Sequence, residues 1–98
     1  MRIEVKTFQL PCTSKQQALK VLEEAAEAYS AWIELEDQLT MGMPHDKYLD
    51  TGLAQEIADC ITACCNLAER YGINLQAAIK QVEKKNRERG RYEERNGQ

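Results

Sequence analysis

The rhythm of apolar and polar positions shifts along this chain, and each shift marks an element. Arg2-Ile3-Glu4-Val5-Lys6 alternates with a period of two, the pattern of a short strand or an extended arm, and Pro11 ends it. From Ser14 to about Leu39 neither Gly nor Pro intervenes. Leu19, Leu22, Ala26, Tyr29 and Ile33 recur there at the spacing of one helical face, so they are expected to face the core. Thr13 and Ser14 both offer an N-cap, with Gln17 three residues beyond Ser14 as a capping-box partner. Met41-Gly42-Met43-Pro44 breaks the pattern, and a loop is expected to run to about Thr51-Gly52. A second helix follows, striped by Leu53, Ile57, Ile61, Cys64, Leu67 or Ala68, and Tyr71. Tyr71-Gly72 reads as its stop, and Asn74 as the cap of a third helix carrying Leu75, Ala78, Ile79 and Val82. Residues 87–98 are too polar to pack on their own.

The expected fold is all-α: an antiparallel helical bundle with a short N-terminal strand or extended arm. One short third helix cannot cover two long helices that are apolar on more than one side. The bundle is therefore expected to be completed by oligomerisation, as a homodimer or homotetramer. A chain of 98 residues is one domain, spanning 1–98, with residues 1–12 as arm and 90–98 as polar tail. The net charge of −3 argues against a nucleic-acid binder. No apolar run approaches the roughly 20 residues that cross a bilayer, and Met1 to Leu10 lacks a signal-peptide core, so no membrane partner and a cytoplasmic place are expected. Cys12, Cys60, Cys64 and Cys65 form no C-x-x-C pair and are read as reduced core residues.

The acids carry the chemistry. Glu23, Glu24 and Glu27 project from neighbouring positions of the first helix, and Glu56 and Asp59 lie three apart on the second. The second helix is apolar on nearly all sides, which places its acids in a packed crevice, and no lysine or arginine stands between Lys47 and Arg70 to neutralise them. Carboxylates converging from two helices without a nearby base suit a hard divalent cation such as Mg²⁺.

These residues are also familiar. Glu24-x-x-Glu27, 28 intervening residues and then Glu56-x-x-Asp59 resembles the signature of the MazG-type all-α nucleoside triphosphate pyrophosphohydrolases, whose superfamily includes the dimeric dUTPases. The segments 20–28 and 56–59 resemble the two motif helices, and Tyr71-Gly72-Ile73-Asn74-Leu75 with Lys85-Asn86-x-x-Arg89-Gly90 resembles the third helix and its basic end. The likeness runs over roughly residues 15 to 92. It implies hydrolysis of a nucleoside triphosphate to the monophosphate and pyrophosphate, in nucleotide-pool housekeeping. It implies Glu24, Glu27, Glu56 and Asp59 as Mg²⁺ ligands, with Glu23 outer or additional and Mn²⁺ able to substitute. Glu24 is the candidate to orient or deprotonate the attacking water. Lys84, Lys85, Asn86, Arg87 and Arg89 offer donors for the phosphate chain, with Lys85, Asn86 and Arg89 favoured. Asn66 shares the helical face of Glu56 and Asp59 and is a substrate-binding candidate. Trp32 could stack on a base but is read first as core, and His45 as a loop residue.

Two other readings compete. Phosphoribosyl-ATP pyrophosphohydrolases share the size and acidic helices, but they have a Tyr-His pair after the second motif where this chain has Cys60-Ile61-Thr62-Ala63-Cys64, and a shorter gap. A non-catalytic helical interaction module that keeps the fold should tolerate losing an acid, and all five are present. The small net charge is itself an average. Between Val21 and Asp59 the single base is Lys47, whereas from Lys80 to Arg95 bases outnumber acids. An acidic cage and a basic end are what triphosphate cleavage needs.

Overall fold

The computed structural model describes residues 1–43 and 47–93, with the side chains of 47–51 excepted. It is all-helical: α1 spans Ser14–Thr40, α2 Lys47–Arg70 and α3 Leu75–Glu88. Residues 1–10 enter neither helix nor strand in this single chain and lie against the hairpin as an arm. The second helix starts earlier than its sequence suggests. Gly52 lies inside α2 and not in the preceding loop, a position that costs about 1 kcal/mol relative to alanine and is tolerated within the first turns. His45 and residues 94–98 of the tail lie outside the described residues.

Local chemistry accounts for the helix ends. Thr13, not Ser14, caps α1: its hydroxyl accepts from Gln16 N–H and the Gln16 side chain accepts from Thr13 N–H, a closed capping box. Gln17 is thereby released for burial. Asn74 caps α3 by accepting from Ala77 N–H at 3.0 Å. All three helices stop in the same way, with a glycine at positive φ (Gly42, Gly72 and Gly90) and paired backbone bonds closing the last turn. At Gly72 those bonds run from Gly72 N–H to Glu69 and from Ile73 N–H to Ala68, and φ is +63°, a conformation that Cβ-bearing residues disfavour.

α1 and α2 pack as an antiparallel hairpin. The seam of α1 reads Gln17, Val21, Glu24, Ala28, Ala31, Leu35 and Gln38, all buried or half-buried, at alternating steps of four and three residues. The more apolar row expected to face the core does not do so here. Leu19, Leu22, Ala26, Tyr29 and Ile33 are all exposed, Leu22 to 67%. They follow the same alternation displaced by two residues, which places them about 160° around the helix from the seam. Trp32 likewise stays out of the core and stacks on Tyr29 at the surface, with ring centroids 5.8 Å apart. The buried apolar residues among those described are Leu35, Ala63 and Ala68. The cysteines are free, but only half-buried, and Cys64 is exposed.

Polar ties hold the arm against the hairpin. Phe8 N–H donates to Asn66 Oδ1 at 2.9 Å, and Arg70 Nη1 donates to the Cys12 carbonyl at 2.8 Å and to Gln17 Oε1 at 3.0 Å. Both carboxamides are buried. α3 packs on the hairpin only near its start, where Leu75 and Ile79 border a groove shared with Ile3, Val5 and Ala68. The radius of gyration is 16.9 Å, against about 13 Å for a compact chain of this length.

Candidate metal centre

The hairpin brings three acids together across its seam. One oxygen from each of Glu24, Glu27 and Glu56 lies within 4.8 Å of the others. Glu24 and Glu27 stand one turn apart on α1 and Glu56 faces them from α2, so the antiparallel register itself builds the cluster. Glu24 is buried, Glu56 half-buried and Glu27 exposed.

Glu24 Oε1 accepts from Lys20 Nζ at 3.1 Å, one turn back along α1. Its other oxygen, Oε2, is buried without a hydrogen-bond partner, and so is Glu56 Oε2. A buried acceptor left unpaired costs roughly 1–3 kcal/mol, and more when charged. The cluster also acts on its own members. The Glu24 charge, and then hydrogen bonds shared with Glu56 and Glu24, hold the Glu27 carboxyl above the ordinary carboxylate range. The Lys20 ammonium is raised in turn, chiefly by its bond to Glu24. Two oxygens without protein donors, beside a third acid that resists ionisation, are what a hard divalent cation would relieve. The donor set is all oxygen, which suits Mg²⁺ or Mn²⁺.

The other expected ligands sit differently. Asp59 is exposed and lies outside the trio. It lines a cleft of about 220 Å³ together with Lys20, Glu24, Thr62 and Asn66, on the arm side of the cluster. Glu23 turns outward, with its side chain 66% exposed and Lys20 at 3.7 Å, because one residue's rotation from Glu24 carries it off the seam. Asn66 borders the same cleft, but its oxygen is engaged by Phe8 N–H. Lys85, Asn86 and Arg89 lie at the far end of α3 and line none of the clefts beside the trio. Asn86 Nδ2 donates to Tyr92 Oη at 3.4 Å, and Arg87 lies 5.9 Å over the Tyr92 ring.

Sequence reasoning gave Lys20 no role of its own and read Gln17 as a capping-box partner of Ser14, a part that Gln16 plays for Thr13. Lys20 precedes Glu24 by four residues, a spacing that signals a helical ion pair. No local signal marks Gln17, whose partner Arg70 is 53 residues away. Cys64 is exposed as a residue, but partial desolvation of its thiol, and then the neighbouring Cys60, raise it, which keeps it protonated and weakly nucleophilic. No protein-family model matches this chain, nor does any curated protein or any solved structure.

Proposed function

We propose that this chain hydrolyses a nucleoside triphosphate between the α and β phosphates, giving the monophosphate and pyrophosphate, with Mg²⁺ as cofactor and Mn²⁺ able to replace it. One observation supports this reading most: Glu24 Oε2 and Glu56 Oε2 are buried without partners inside a three-acid cluster. Glu24, Glu27 and Glu56 would hold the ion, and Asp59 would join through the adjoining cleft, directly or through water. Glu23, its side chain turned outward, would be an outer or additional ligand. Bound there, the ion would neutralise phosphate charge and make a coordinated water more acidic.

The chain's own groups would do the remainder. Glu24, fixed by burial and by Lys20, would orient the attacking water and take its proton. The water oxygen bonds to the α phosphorus, and the bond from that phosphorus to the bridging oxygen breaks, releasing pyrophosphate. Lys85, Asn86 and Arg89 would bind phosphate oxygens, and Asn66 would contact substrate with its remaining NH₂ group. The working unit is a homodimer or homotetramer in the cytoplasm, with neither nucleic acid nor membrane as partner. Among the described residues no helix is long and apolar enough to cross a bilayer.

The test is pyrophosphate release from a panel of canonical and modified deoxynucleoside triphosphates with Mg²⁺. Glu27→Gln and Asp59→Asn should each abolish turnover while leaving helicity and oligomer size unchanged. Hydrolysis by these variants at the wild-type rate would overturn the assignment of the acids.

A further inference from the structure

Three of the four cysteines fall within six residues of α2, at Cys60, Cys64 and Cys65, and all four thiols are free. Packing does not account for all of them. Cys65 borders the groove shared with Ile3, Val5 and Ala68, but Cys64 is exposed, with the half-buried Cys60 one turn before it. Counted from Glu56 at about 100° per residue, Cys60 lies about 40° and Cys64 about 80° around the helix to one side, whereas Asp59 lies about 60° to the other. The two thiols thus share a flank of α2 turned away from the cleft that Asp59 lines, and neither borders the clefts between arm and hairpin. Cys65, about 100° further on than Cys64, faces elsewhere.

The spacing decides what these thiols can do together. Cβ atoms four residues apart on a helix lie about 5–6 Å from each other, and a disulfide needs roughly 3.5–4.5 Å, so Cys60 and Cys64 cannot close one while α2 stays helical. An ion between the sulfurs replaces one S–S bond of about 2 Å by two metal–sulfur bonds, together roughly 4–5 Å, and that span fits the turn. The number of donors then selects the ion. Among the described residues the acid trio is the one group of three converging donors, so no further cysteine, histidine or carboxylate joins Cys60 and Cys64. Two ligands do not serve tetrahedral Zn²⁺, and Mg²⁺ or Mn²⁺ takes oxygen. Two thiolates alone satisfy Cu(I), a soft closed-shell ion that is stable between two sulfurs in a line. Partial desolvation, and then Cys60, raise the Cys64 thiol, and a cation between the sulfurs offsets the repulsion of their charged forms.

We propose that Cys60 and Cys64 form a two-coordinate site for Cu(I) on the flank of α2. Each thiol releases its proton to solvent as its sulfur bonds to the ion. Two protons leave, the copper stays in its +1 state, and the site carries one negative charge. The exposed Cys64 sulfur gives the ion its entry, and Leu53, Ile57 and Leu67 share the flank by helical position, which keeps the surroundings apolar. Neither the acid trio nor a nucleotide takes part, so the site stands or falls independently of the proposed function.

Anaerobic titration of the reduced chain with Cu(I), against the coloured competitor bicinchoninate, tests this. The wild type should withdraw one copper per chain from the competitor, gain the ultraviolet absorption of copper thiolates and keep its subunit number in native mass spectrometry. Cys60→Ser and Cys64→Ser should each weaken binding by more than the roughly 100-fold that loss of a group supporting a metal ligand costs. Cys12→Ser, Cys65→Ser and Glu27→Gln should bind copper as the wild type does, and excess Mg²⁺ should not displace it. Circular dichroism checks each variant, and if Cys60→Ser loses helicity, the exposed Cys64→Ser carries the comparison. Failure of the wild type to withdraw copper, or equal loss on Cys65→Ser, overturns the proposal. So does one copper per two chains with a doubled subunit number, which would mean that Cys64 pairs between copies.

Discussion

Glu56 holds a carboxylate oxygen where no group of the protein answers it, and its neighbours on the cluster are two more acids. Such a residue weakens the fold in the absence of metal. Glu56→Gln should therefore raise the melting temperature of metal-free protein, by the few degrees that about 1 kcal/mol is worth in a small domain. The same substitution should remove the additional stabilisation that Mg²⁺ or Mn²⁺ gives the wild type. A variant that melts lower without metal, yet still gains from it, would show that the oxygen does not face the ion. Glu27 contributes through pH. Its carboxyl is raised by the Glu24 charge, followed by the hydrogen bonds with Glu56 and Glu24. An acid whose folded value lies above its unfolded one binds its proton more tightly when folded, so its effect on stability is most favourable below the unfolded value. That benefit is lost as pH rises through the raised one. Metal-free protein should accordingly melt higher as pH falls from neutral toward that window, and Glu27→Gln should flatten the trend. Metal binding should run oppositely, weakening on acidification because proton and cation compete for the same oxygens. Parallel melting curves for wild type and Glu27→Gln across pH would remove Glu27 from the cluster.

At the scale of elements, the helix ends were the most legible feature of the sequence because their chemistry is local. Asn74 and Gly72 act within a few residues of themselves, and the structure uses both as the sequence implies. Gly72→Ala should cost about 1 kcal/mol, since a Cβ there meets nothing within 4 Å and the penalty is purely that of the left-handed backbone. Chemical denaturation would measure it, and an unchanged midpoint would mean that α3 can leave α2 by another turn. What faces what was harder to read. The strongest apolar row of α1 is Leu19, Leu22, Ala26, Tyr29 and Ile33, and hydrophobicity alone sends it to the nearest core. The hairpin seam instead takes Gln17 and Glu24, whose burial becomes tolerable through Arg70, 53 residues from Gln17, and Lys20. A polar residue's distant partner leaves no trace in local periodicity. The acid cluster was legible for a different reason: three-residue spacing fixes Glu24 and Glu27 on one side of a helix, and antiparallel packing then needs only the right register to bring in Glu56. Glu23 and Asp59 show the limit of that reasoning: one helical step carries Glu23 off the seam, and Asp59, at the same three-residue spacing from Glu56, lines the adjoining cleft instead of joining the trio.

For the whole molecule, the net charge of −3 conceals an uneven distribution. Acids gather in the hairpin, cations gather at the end of α3, and a seam-spaced apolar row lies open on the far side of α1. The open apolar row is the surface that the proposed association of copies would cover. The apolar row gives the most direct way to test this. Leu22 and Ile33 are exposed in the single chain, so changing both to lysine removes no contact within it and should leave helicity intact. Buried at a contact between copies, the same two charges would each lack a counter-ion and cost several kcal/mol. The Leu22→Lys, Ile33→Lys variant should then scatter light as a single 11.2 kDa chain, whereas the wild type scatters as a multiple of it. Its melting temperature should also lose the dependence on protein concentration that a wild-type assembly must show. Under the proposed function, in which the working unit is an oligomer, pyrophosphate release should fall with dissociation even though every acid remains. A variant that stays at the wild-type mass would place the contact elsewhere on the chain, and one that becomes a single chain with full activity would show that one chain completes the site.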